Sequence, residues 1–179
     1  MEIRTYKVYK FDELPKDGQQ KAIENLYDIN VDYDDWYYDE GLLQKTEDNG
    51  FYFEIKNIEF DIYRQEYNIP LEVNDETKVL DVLLSKPKYK HKKLIKSLHK
   101  AGFICFDSSI SLYSYSTKLK RLNKIIDELT SDFDELQSDL AYNVFKQIKN
   151  SYEYLTSEEA IIETIKANDY DFTIQGNID

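Results

Sequence analysis

The chain has 179 residues, 41% hydrophobic and 15% aromatic, enough for one domain with a real core or one domain carrying a protruding helical element, and too apolar for a disordered chain. Its 32% charged residues leave a net charge of −12, and nowhere do ~18 apolar residues run together, so a membrane-spanning helix is excluded and a cytoplasmic protein is expected. Cys105 is the one cysteine, which excludes an internal disulfide and a multi-cysteine zinc site; within Phe103-Ile104-Cys105-Phe106 it reads as a buried core residue.

Residues 2–9, EIRTYKVY, are dominated by β-formers and predict an opening strand. Pro15 suits a helix first turn, and Ala22, Ile23, Leu26 and Tyr27 recur at the 3-to-4 spacing of an amphipathic helix running to about Asp28, although Gly18 weakens it. Asn30 breaks that helix. Asp32 or Asp34 then caps a second one through Trp36, Tyr37, Leu42 and Leu43, ending near Asn49-Gly50. The segment 51–67, FYFEIKNIEFDIYRQEY, holds two alternating runs, Phe51/Phe53/Ile55 and Ile58/Phe60/Ile62, which predict paired strands with a tight turn or bulge at Lys56-Asn57. Helices follow from about Asp75 to Ser85 and from Tyr89 to Ala101, the latter closed by Gly102. Residues 103–116 read as two short strands joined at Asp107-Ser108-Ser109.

The clearest periodicity comes next. Leu119, Leu122, Ile126, Leu129, Phe133, Leu136 and Leu140 are spaced alternately three and four apart, a heptad seam that Val144 and Ile148 continue with a stutter. One long helix over 117–155 is expected, with a helical hairpin broken at Thr130-Ser131-Asp132 as the alternative. Thr156 with Glu159 matches a capping box opening a last helix with Ile161, Ile162 and Ile165 inward, and NDYDFTIQGNID reads as a short strand pairing with 51–67. The expected fold is α+β in a single domain, 1–179: a small, mostly antiparallel sheet with helices on one face and a long helical element in the C-terminal half. Unless packed within the fold, Leu122, Ile126, Leu129, Phe133 and Leu136 form a self-association seam for a homodimer.

Charge is segregated. Residues 12–48 carry 12 acids and 3 bases, 86–124 carry one acid and 11 bases, and 127–179 carry 13 acids and 3 bases. Segregation of this kind bears on partners and association more than on fold. The densest acidic stretch is NVDYDDWYYDE at 30–40. A calcium or magnesium loop needs alternate acids around a glycine, and Trp36 and Tyr37 stand where such a loop needs small residues. Two readings remain for it: Trp36 in the core with solvated acids, or a recognition surface for a basic partner built on Asp32, Asp34, Asp35, Tyr37, Tyr38, Asp39 and Glu40. Asp132, Asp134, Glu135 and Asp139 form a second acidic surface.

The one basic tract holds Lys86, Lys88, Lys90, Lys92, Lys93, Lys96 and Lys100, with His91 and His99 interleaved and Tyr89 placed to stack on a base. Two readings compete: a nucleic-acid patch on Lys88, Lys90, Lys92, Lys93 and Lys96, or an intramolecular or inter-subunit counterpart to the acidic segments. Against so negative a remainder, direct nucleic-acid binding is not expected. No Walker motif, GxGxxG, nucleophile elbow or HExxH occurs, so neither a catalytic constellation nor a cofactor or metal is expected.

The opening VYKFDELPKDGQQKAIENLYDINVDYDDWYYD and the closing IKANDYDFTIQGN resemble a family of phage and mobile-element proteins of unassigned function. Those begin with a strand, "FDEL", a helix containing "KAIEN" and an acidic aromatic patch around Trp, and finish with a segment like "NDYEFTEDG"; Gly18 and the TIQGN ending depart from that pattern. The likeness implies a phage counter-defence protein of the anti-CRISPR or anti-restriction kind, acting in the host cytoplasm. The expected function is a non-enzymatic inhibitor that binds the nucleic-acid channel of a bacterial defence nuclease or its guide complex, most directly a CRISPR effector, by charge mimicry. The alternatives are a coiled-coil, antitoxin-like interaction protein and a small metal-dependent nuclease.

Overall fold

The hairpin that follows residue 52 shows how local chemistry overrides a pattern in the sequence. In the structure, a computed structural model that describes residues 7–33, 36–37, 53–55, 57–106, 110–112 and 120–178, β1 (Phe53–Ile55) and β2 (Glu59–Asp61) do not pair with each other. Instead β1 pairs with β4 (Leu71–Val73) and β2 with β3 (Glu66–Asn68), both antiparallel. The chain reverses after Asp61, whose Oδ1 accepts hydrogen bonds from the amides of Tyr63 (3.0 Å) and Arg64 (2.9 Å), and Gln65 completes the turn at φ 58°. Phe53 faces Val73 and Ile55 faces Leu71, whereas Glu59 faces Asn68, so one extra residue separates the ladders on the outgoing arm. Asn57, at φ 52°, lies in that gap. That offset puts one more residue on the outgoing arm than on the returning one; Lys56 lies outside the described residues.

The fold is α+β: helices together with three two-stranded antiparallel ladders among the described residues. The chain divides into two compact units, Asp39–Gln147 and Met1–Tyr38 with Ile148–Asp179. In the 39–147 unit, α2 (Glu76–Ser85) starts at Asp75, whose carboxylate accepts from the Lys78 amide at 3.0 Å, and it buries Val79, Leu80, Leu83 and Leu84. Helix α3 (Lys92–Lys100) begins three residues later than the pattern predicts, because Tyr89 is drawn inward to a hydrogen bond. Its end is a Schellman cap: Gly102, at φ 75°, donates to His99 O and Phe103 to Leu98 O, each at 2.9 Å. Strands β5 (Ile104–Phe106) and β6 (Ile110–Leu112) pair as expected; the residues joining them lie outside the described set. Cys105 is half-buried, not buried, since it alternates with Ile104 and Phe106, which take the core side.

Helix α4 (Lys120–Leu155) is unbroken over 36 residues. Its seam is the core of this unit and not a free face. Ile126, Leu129, Phe133 and Leu140 are buried, with Leu122 and Leu136 partly buried, against Phe53, Leu80, Leu83, Ile95, Ile104 and Phe106. The Phe133 ring lies 6.1 Å from Phe53 and 5.6 Å, edge-on, from Phe106. The expected self-association seam is therefore corrected: the apolar stripe is already covered by the chain's own α2, α3 and strands.

The other unit is built from the two ends of the chain. A 3-10 turn at Phe11–Glu13 leads into α1 (Lys16–Asn25), with Pro15 as its N-cap. Helix α5 (Glu158–Ala167) is capped by Ser157, whose Oγ accepts from the Ala160 amide at 3.3 Å. Thr156, expected in that role, instead donates its hydroxyl to Tyr152 O at 2.8 Å. Phe172 exchanges both backbone hydrogen bonds with Tyr9 at 2.9 Å and bridges Ile178, so among the described residues the closing segment pairs with the N-terminal stretch and with itself. Phe11, Leu14, Ala22, Ile23, Ile161, Ile165 and Phe172 form the core. Gly18 has a packing reason: a β-carbon there would lie 2.7 Å from Ile174 O, and one on Gly176, at φ 82°, would collide with Gly18 O. Of the expected strand at 2–9 only residues 7–9 are described, and of the expected second helix from Asp32 or Asp34 through 49 only Asp32 and Tyr33, in a bend, and Trp36 and Tyr37, in a turn.

Candidate interaction surfaces on the long helix and the basic tract

Asp132 sits on α4 three residues after Leu129 and four before Leu136, at the edge of the apolar stripe, and the helix turns it inward to 5% exposure. A buried carboxylate is costly unless donors surround it. Here Lys88 Nζ donates at 2.7 Å, Lys86 Nζ approaches to 3.1 Å, and the Tyr89 hydroxyl donates to Oδ2. Burial alone would raise the Asp132 pKa, but the hydrogen bonds from Lys88, Tyr89 and Lys86 outweigh it and hold the carboxyl below its ordinary value. The Tyr89 hydroxyl is pushed up, by burial first and then by Asp132. Lys86 also donates to Glu135 at 3.0 Å, and that bond is the main cause of its raised pKa, with Asp132 adding.

The second acidic surface is thus divided. Asp132 belongs to the interior, a correction with a plain cause: its position flanks the seam. Asp134, Glu135 and Asp139 are exposed, as is Asp127. Glu135 is held by Lys86, while Asp127, Asp134 and Asp139 have no ion pair among the described residues. From Asp127 to Asp139 the helix rises about 18 Å.

The basic tract divides the same way. Lys86 and Lys88 are engaged with α4, and Lys96 pairs with Asp81 of α2 at 2.6 Å, which is the intramolecular counter-charge reading of those three residues. His99 Nδ1 lies 3.1 Å from Ile104 O and 3.7 Å from Glu76, edge-on to Phe106. Lys90, His91, Lys92, Lys93 and Lys100 make no ion pair among the described residues, and Lys92 alone of these five is half-buried. Tyr89, placed by the sequence to stack on a base, is buried with its hydroxyl spent on Asp132. An open depression of ≈490 Å³ is lined by Tyr89, Lys90, His91, Lys92, Lys93 and Leu94.

In the other unit the start of the 30–40 stretch is tied down at Asn30. Asn30 donates to Leu155 O at 2.9 Å and accepts from the Thr164 hydroxyl at 2.6 Å, a role that reading it only as a helix breaker missed. Trp36 is half-buried, 5.6 Å from Tyr152 and edge-on to a half-buried Tyr37, while Asp32 is exposed. Asp34, Asp35, Tyr38, Asp39 and Glu40 lie outside the described residues. Among the described residues no group of three or more His, Cys, Asp or Glu converges as metal ligands would, and no helix is long and apolar enough to cross a membrane. Comparison with protein-family models, curated proteins and solved structures finds no match to this chain.

Proposed function

We propose that the protein is a non-catalytic acidic inhibitor that presents the outward face of α4 to the basic nucleic-acid channel of a bacterial defence nuclease, a CRISPR effector foremost, and occludes its substrate. The supporting observation is the division of charge around α4. Asp132 is turned inward and neutralised, whereas Asp127, Asp134 and Asp139 are held outward with no cation opposing them among the described residues. Fixing carboxylates on a packed helix lowers the cost of ordering them at a partner's surface, and their field speeds encounter with a positive channel at low salt. The likeness of 8–39 and 165–177 to phage proteins supplies the choice of target class. The self-association seam of the coiled-coil, antitoxin-like alternative is buried.

The test is capture of tagged protein from cells expressing defence nucleases, with the triple variant Asp127→Asn, Asp134→Asn, Asp139→Asn run in parallel. The proposal expects a nuclease on the wild type, inhibited in substrate cleavage, and its loss from the variant. A nuclease captured equally by both would remove the acidic face from the mechanism.

A further inference from the structure

The basic face around α3 and the acidic face of α4 are both exposed on the 39–147 unit, and each lacks its counter-charge among the described residues. We infer that they are complementary halves of one contact: the Lys90, Lys93 and Lys100 face of one copy docks on the Asp127 and Asp134 face of a second copy of this chain.

Three observations favour that occupant. The spacings match: Lys93 and Lys100 on α3, and Asp127 and Asp134 on α4, are each seven residues apart, so each pair lies on one side of its helix with an axial rise of about 10.5 Å. The tract already displays this chemistry within the molecule, because Lys86, Lys88 and Lys96 all take carboxylate partners on α2 and α4. Each face also carries apolar surface beside its charge, Leu94 at 53% and Phe103 at 47% exposure on the basic side and Tyr142 at 52% on the acidic side. A nucleic acid fits the basic face less well. Tyr89, the aromatic within the tract, is buried, and the tract contains lysine but no arginine for bidentate phosphate contacts. The net charge of −12 on each copy is no obstacle at ordinary ionic strength, where fields beyond about 8 Å are screened and the local complement decides.

The contact is separate from the buried apolar seam; it draws on α4 carboxylates that the proposed function gives to the nuclease, so the two occupants compete, and purified protein alone suffices to test this one. Sedimentation velocity should show self-association at about 0.05 M salt that is lost by about 0.5 M. Lys90→Glu, Lys93→Glu, Lys100→Glu should be monomeric, and so should Asp127→Lys, Asp134→Lys, each with the wild-type circular dichroism spectrum. Mixed one to one, the two variants should associate again, with affinity within tenfold of wild type. Should either set unfold, Lys→Gln and Asp→Asn versions replace it, each expected to weaken association at least tenfold. A wild type that stays monomeric at low salt overturns the inference, as does a mixture that fails to associate. A monomer that binds a fluorescent single-stranded oligonucleotide through Lys90, Lys93 and Lys100 would assign the face to nucleic acid instead.

Discussion

The Tyr89 hydroxyl donates to the Asp132 carboxylate across 43 positions of sequence, and this bond ties the start of the basic tract to the middle of the long helix. It explains why α3 starts late, why Asp132 is absent from the acidic surface, and why Lys86 and Lys88 are already spent.

Asp132 makes stability depend on acid in a defined direction. Its folded pKa is depressed below the unfolded value near 3.9, so the stabilisation is present above that value and is lost as pH falls through the lower folded pKa. Asp132→Asn should cost about 1–3 kcal/mol at neutral pH, the penalty for removing the charged partner of the buried Tyr89 hydroxyl and of two lysine ammonium groups. Urea unfolding from pH 7 to pH 2 should show the gap between wild type and variant closing below about pH 4. A gap that is constant across that range would mean that the carboxylate is not ionised in its buried setting.

Gly18 offers a test of sign. Helix propensity alone predicts that Gly18→Ala stabilises by about 1 kcal/mol. The close approach of Ile174 O predicts the opposite, a loss of about 1–3 kcal/mol as α1 and the closing turn are pushed apart. Gly176→Ala should cost more, since it adds a positive-φ penalty to a collision with Gly18 O. Thermal melts decide between the two, and a higher midpoint for Gly18→Ala would refute the packing account.

The seam residues should behave as core. Phe133→Ala is expected to cost about 3–5 kcal/mol and Leu129→Ala about 2–5 kcal/mol, because both side chains are fully buried between α4 and the β1, α2 and β5 side chains. Leu129→Asp should unfold the 39–147 unit, as read by loss of cooperative melting. A folded Leu129→Asp protein that differs from wild type only in oligomeric state would restore the seam as an interface.

What the sequence made legible and what it hid follow a physical line. The 3.5-residue stripe of α4, the helix from about Asp75 to Ser85 and the Gly102 terminus are local signals, and the structure contains all three. Strand partners are not local. Alternation at 51–62 marks extended chain, but the Asx turn at Asp61 and the positive-φ Asn57 decide which strands meet. The bridge between Tyr9 and Phe172 likewise depends on α1 and α5 bringing the two ends together, which no spacing records. Asp132 was in principle readable as inward, since it shares a helical side with Leu129 and Leu136, but counting charges along the chain treats all acids alike. The inward tilt of Tyr89 needs that buried carboxylate to be recognised first.

The central claim is that the outward carboxylates of α4 engage a basic channel, and the most direct measurement is binding of purified protein to a purified CRISPR effector with its guide RNA. Wild type should bind, with affinity falling steeply between about 0.05 M and 0.5 M salt, and should compete with the nucleic-acid substrate. The Asp127→Asn, Asp134→Asn, Asp139→Asn variant, folded because exposed substitutions cost little, should bind at least tenfold more weakly. Equal affinity of variant and wild type at low salt, or binding that leaves substrate occupancy unchanged, would contradict the account.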